Sequence, residues 1–360
     1  STPGSGTFGQ FTAGYANAID IDLGTGNLTI NQTGAGGNVQ IREVNGALNT
    51  NKYIFSQSDG EVGGATARQI ALIAAGGEIA ATSAGNLNWL GFNASSAFTT
   101  NFTGTNDNVF LAAVGGAVLN DLANTASVSA TLSSSDSGKT LTIISDRNAT
   151  SAGTTDFSQV NVSATVTFAG SITLASTGND ADGPDRVLVD AIVTSTEGSI
   201  TIVSALDALA GSSGGLSAST SGQSISITAD ADSASGGSVT LNNSTNNVSI
   251  TGGAGLITLQ GGAVTQNSGT VNAGSGTVVI DSNDNTVSLA GTIESSKAAT
   301  AITIRDASTV TLSGDLKATN SGGAIAIGAS GGDAITGAIT QTGGKVTAGD
   351  LLAIVGSSNT

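Results

Sequence analysis

The chain has 360 residues, including 52 Gly, 46 Ser and 48 Thr, with 38% hydrophobic residues and no Cys, His or Met. This excludes a disulfide scaffold, a thiolate metal site and any mechanism built on histidine or a cysteine nucleophile. The acid excess, 26 Asp+Glu against 10 Lys+Arg for a net charge of −16, argues against nucleic acid as a partner, because neutralising phosphates needs clustered Lys and Arg.

The first ten residues, STPGSGTFGQ, lack an initiating Met, a basic segment and an apolar run, so they read as a mature or excised N-terminus. No apolar run approaches the ~18 residues of a membrane span, and no direct span is expected. All twelve aromatic residues lie at or before Phe168. Residues 1–130 are therefore expected to form an irregular N-terminal region with loops or a lateral aromatic element. Within it, Trp89, Phe92, Phe98 and Phe102 form the candidate contact surface.

Asp20 and Asp22 alternate in IDIDL and share one face of a strand. Carboxylates so paired suit acid–base cleavage of glycans. Such a site also needs aromatic platforms or clustered cations, and the Lys and Arg residues here are spread singly. N-x-[ST] sequons at Asn27, Asn93, Asn101, Asn148 and Asn161 are candidate glycosylation sites, with four more at Asn31, Asn242, Asn243 and Asn247.

Next, Asp136-Ser-Gly-Lys139-Thr140 ends like a phosphate-binding loop. Ser133 stands where the first glycine belongs, and LTII continues as a strand instead of a helix. From Ser171 onward the apolar period is two: SITL (171–174), SITI (199–202), SISIT (224–228), SVTL (238–241), NVSI (247–250) and TVSL (286–289). Gly, Asn, Asp and Ser fill the gaps as turn residues. Only short stretches such as 203–209 and 114–123 read as helical turns.

Asp180, Asp182, Asp185 and Asp190 make the densest acidic group and the candidate Ca²⁺ ligands. Pro184 occupies a ligand position and no Glu stands at the twelfth, so a solvated loop competes with that reading. Asp281, Asn283 and Asn285 copy the opening of a Ca²⁺ loop without its glycine. Thr140/Thr142, Thr165/Thr167 and Thr309/Thr311 form Thr-x-Thr pairs that do not recur at a fixed interval.

Aliphatic anchors repeat at long range. One series is Leu241, Leu259, Ile280, Ile304 and Ile327; a second is Ile250, Val271, Leu289, Leu312 and Ile335. Short alternating strands that recur at long range predict an all-β fold, a parallel β-helix whose coils bury their apolar faces only by stacking. Residues 131–360 are expected to form regular coils of roughly 20 residues each. At strand spacing the whole chain would make about 17 coils.

The segment ITQTGGKVTAGDLLAIVG (339–356), the GSITL and GSVTL strand openings, NVQIREVNGALNT (38–50) and the insertion-like stretch 180–202 resemble the β-strand-repeat, filamentous-haemagglutinin-like family of large bacterial surface proteins. The resemblance implies right-handed β-helical solenoids, secretion, and roles in adhesion, biofilm or cell-surface layers. The chain lacks the family's translocator and anchor regions, so it reads as part of a longer polypeptide or a processed subunit.

The expected function is a non-enzymatic structural segment of an extracellular fibre, adhesin or surface layer. Its partners would be neighbouring repeats or copies joined end to end, with surface glycans or proteins as further contacts. No cofactor is expected beyond the candidate Ca²⁺. The alternative is a glycan-binding or glycan-cleaving β-helix protein.

Overall fold

The computed structural model describes segments of the first part of the chain (19–24, 26, 28–32, 39–43, 48–49, 53–57, 69–74, 79–81, 97–100, 108–115, 124–128, 131–134 and 140–147). Beyond these it describes 158–176 and 186–355, apart from 212, 231–235, 243–246, 251–252 and 329–333. Every element among the described residues is a strand. Alternation of apolar and hydroxyl residues decides this, because each strand then carries one face for a core and one for solvent. The expected helical turn at 203–209 is instead the end of Ile200–Ser204, a short corner and Asp207–Ala210. In the other such stretch, Val114 belongs to the strand Asn108–Gly115 and residues 116–123 lie outside the described residues.

The chain divides into two compact units, Ser1–Val187 and Leu188–Thr360. Both are parallel β-solenoids. In the first, strands stack in parallel so that Ile19, Ile41, Leu72, Leu111, Ile143 and Leu174 are successive register partners. The winding from Leu72 to Leu111 is nearly twice as long as the one from Ile19 to Ile41. Phe98 is in register with Leu132, and Phe168, fully buried, with Ser134.

The second unit has three faces. The first begins at Ile200–Ser204 and ends at Leu352–Ile354, with Ile202, Ile227, Leu259, Ile280, Ile304, Ile327 and Ile354 in one ladder. The steps are less even than the sequence suggested: the winding from Ile227 to Leu259 is half as long again as the next, from Leu259 to Ile280. The second face carries Ala208, Val239, Val264, Val287 and Val310 in register. The third carries Leu216, Val248, Val271, Ile293, Leu316 and Val346.

The two anchor series of the sequence thus resolve into three ladders. Leu259, Ile280, Ile304 and Ile327 do stack. Leu241 belongs to the second face, where its partner is Gln266. Val271 lies on the third face, while Leu289 and Leu312 are partners on the second.

Nearly all these inward aliphatics are buried, from Ile200 and Ile202 to Ile325 and Ile327. Each such burial contributes about 1.5–3 kcal/mol. Ala208 and Ala210 leave a small apolar cavity, bordered also by Val189, Ile202, Leu216 and Leu241. Corners are stitched by the backbone. At the turn from second to third face, Asn267 N donates to Leu241 O at 2.8 Å, Ser313 N to Leu289 O at 2.8 Å and Thr342 N to Leu312 O at 2.8 Å.

Candidate functional site

The lateral faces of the second unit differ in chemistry. Thr240, Thr265, Ser288, Thr311 and Thr340 are register partners on the second face, and Thr286 pairs with Thr309 beside them. The pair Thr309/Thr311 is therefore part of a hydroxyl row that unequal coil lengths conceal in the sequence. The third face carries charge in its last windings. Glu294 is in register with Lys317, and the Lys317 ammonium lies 2.7 Å from the Asp315 carboxylate. Lys345 N donates to Asp315 Oδ1 at 2.8 Å. The hydrogen bond from Lys317, then the one from Lys345 N, holds the Asp315 carboxyl below its usual range. The same Asp315 bond, with Glu294 nearby, raises the Lys317 ammonium.

The Ca²⁺-like opening at Asp281 is a corner between the first and second faces. Asp281, almost fully buried, receives Arg305 Nε on Oδ2 at 3.0 Å and Asn283 N on Oδ1 at 3.3 Å. Asn283 and Asp284 are left-handed, with φ of 45° and 61°, which Asn and Asp tolerate. The Ser282 hydroxyl lies 3.0 Å from Asn285 O and 3.1 Å from Asp306 O, and donates to this pair of carbonyls. The carboxylate of this Ca²⁺-like opening thus pairs with a guanidinium one winding above.

Other predicted residues fall as follows. Asp20 and Asp22 are both exposed; Asp20 is in register with Arg42, and Asp22 Oδ1 accepts from Gly24 N at 3.2 Å. Asp190 is exposed, while Asp180, Asp182 and Asp185 lie outside the described residues. Among the described residues no three His, Cys, Asp or Glu side chains cluster as metal ligands. Trp89, Phe92 and Phe102 lie outside the described residues, as do Asn27, Asn93, Asn101 and Asn148. Phe98 is in the strand Ala97–Thr100. Asn161 is in Ser158–Val162, with a buried Oδ1 that has no hydrogen-bond partner among the described residues. Thr140 opens the strand Thr140–Arg147, as LTII suggested.

The last described winding ends in an open face. Leu351 is 57% exposed, Leu352 43%, Ile354 54% and Val355 44%, whereas Ile325 and Ile327 beneath them are fully buried. Two glutamines that the sequence pattern did not single out occupy ladder positions at the end of the second face. Gln266 is buried between Leu241 and Leu289, and Gln341 is the partner of Leu312. Gln266 Nε2 donates to Gly269 O at 3.1 Å and to Thr292 O of the next winding at 3.3 Å. Gln341 Nε2 donates to Gly344 O at 3.1 Å. The repeated T-Q-x-x-G of Thr265–Gly269 and Thr340–Gly344 was the available signal.

Comparison with family models, with curated proteins and with solved structures finds no match to this chain. Among the described residues, no helix is long and apolar enough to cross a membrane.

Proposed function

We propose that this chain is a non-enzymatic structural segment of an extracellular or cell-surface fibre, adhesin or surface layer, joined end to end to further windings. The carrying observation is the open face at Leu351–Val355, where an aliphatic ladder that is fully buried one winding below reaches solvent. Unpaired strand edges with apolar side chains favour another strand in the same parallel register. The resemblance to filamentous-haemagglutinin-like surface proteins supports the same reading. The net charge of −16 adds lateral repulsion, which favours growth along the solenoid axis over clumping sideways. Negative-stain electron microscopy of the purified chain tests the reading: fibres are expected, and uniformly dispersed particles at all concentrations contradict it.

A further inference from the structure

We propose that the third face of the second unit docks a second copy of this chain, side by side and parallel, with Asp315 of each copy against Lys317 of the other. The inference is separate from the end-to-end reading, because it uses a side of the solenoid and not an end. It starts from the residues that point outward. They are Thr270 and Asn272, then Thr292 and Glu294, then Asp315 and Lys317, since the residue between each two is buried. The next winding adds Lys345 and Thr347, both exposed. Register sets these residues in two columns. Thr270, Thr292, Asp315 and Lys345 form one, and Asn272, Glu294, Lys317 and Thr347 form the other.

Charge sets this patch apart. The chain carries −16, and the second unit has four basic residues, Lys297, Arg305, Lys317 and Lys345. Arg305 is held by Asp281, and Lys297 Nζ donates to Thr277 Oγ1. Lys317 and Lys345 stand instead on the third face with Glu294 and Asp315, two charges of each sign. The repulsion that keeps the acidic chain from its copies therefore cancels here. Below the charges, the second column continues through Ser249 and Ser217, so no bulky side chain in it holds two such faces apart.

The pattern is complementary to itself. A two-fold axis along the solenoid exchanges the two columns within each winding. Asp315 then meets Lys317 of the copy, and Lys317 meets its Asp315. Glu294 meets the Thr292 hydroxyl, which donates to it, and the Lys345 ammonium donates to Thr347. No like charges face each other. An antiparallel pair centred on the same winding would set Asp315 on Asp315 and Lys317 on Lys317. The Asp315 and Lys317 side chains remain 33% and 37% exposed despite their own bond, so each keeps capacity for a partner. The patch is narrow, and repetition along a fibre multiplies its strength.

The test mixes equal amounts of unlabelled and isotope-labelled full chain and adds a carbodiimide, which joins an ammonium to a carboxylate in contact. Mass spectrometry then finds peptides that link a light chain to a heavy one. Light–heavy links between Asp315 and Lys317 are expected. Links through Glu294–Lys317 or Asp315–Lys345 in their place, or no light–heavy link on this face, overturn the proposal. A chain carrying both Asp315→Lys and Lys317→Asp exchanges the two charges, and circular dichroism checks its strand content. It is expected to link positions 315 and 317 within about twofold of the wild-type yield, because the axis again sets opposite charges together. A folded exchange variant that loses these links means that Lys317 meets Glu294, and the parallel pairing falls.

Discussion

Gly314 shows how tightly a corner residue is constrained. Its Cβ would meet the carbonyls of Gly291 and Ala290 in the winding below, both backbone and unable to yield. Gly314→Ala should therefore cost about 2 kcal/mol in urea denaturation, through forced separation of two windings. Ala299 presents the opposite case. Its φ of 114° is unfavourable for a side chain, and its partner in the next winding is Gly323. Ala299→Gly should stabilise the chain by about 1 kcal/mol, read as a higher urea midpoint at unchanged slope. The half-buried Asp315–Lys317 pair at the rim of the third face titrates. Because folding lowers the Asp315 carboxyl, its contribution is present above the unfolded-state value and lost as pH falls through the folded one. Folding raises Lys317, so that contribution is present below the unfolded-state value and lost as pH rises through the folded one. Carboxyl NMR titration should place Asp315 below ordinary aspartates, and Lys317→Ala should move it back up.

At the scale of elements, each ladder position is nearly interchangeable between windings. Ala208 occupies the place held by Val239, Val264, Val287 and Val310, and borders the small apolar cavity. Ala208→Val should fill that space and stabilise by about 1 kcal/mol, measured by thermal or urea unfolding. The same interchangeability governs what the sequence discloses. Strand identity was legible because SISIT, SVTL and TVSL alternate strictly and form strands. The parallel solenoid was legible because Leu259, Ile280, Ile304 and Ile327 recur at similar intervals. The number of faces was not. Corners vary in length, so the long windings Ile227 to Leu259 and Leu72 to Leu111 interrupt any fixed interval. Residues chosen for even spacing then come from different faces. Gln266 and Gln341 add to this by placing an amide where the second ladder is otherwise aliphatic. The Asp281 corner is ambiguous in the sequence for a related reason. Asp and Asn favour left-handed turns and cation ligation alike, and the placing of Arg305 against Asp281, one winding on, cannot be read from the local motif.

At the scale of the molecule, a solenoid is stabilised winding by winding, each resting on its neighbours. An end winding has one neighbour, and its aliphatics remain exposed until another winding arrives. That is the physical basis for reading Leu351–Val355 as a joint. The hydroxyl row from Thr240 to Thr340 and the charged third face would then repeat along the fibre as two chemically distinct sides. Cryo-electron microscopy of the assembled chain tests this most directly. Power spectra of the fibres should show a meridional layer line near ~4.8 Å, the spacing of strands stacked along the axis. Fibres without that axial spacing, or a chain that remains as separate particles, would contradict end-to-end stacking of windings.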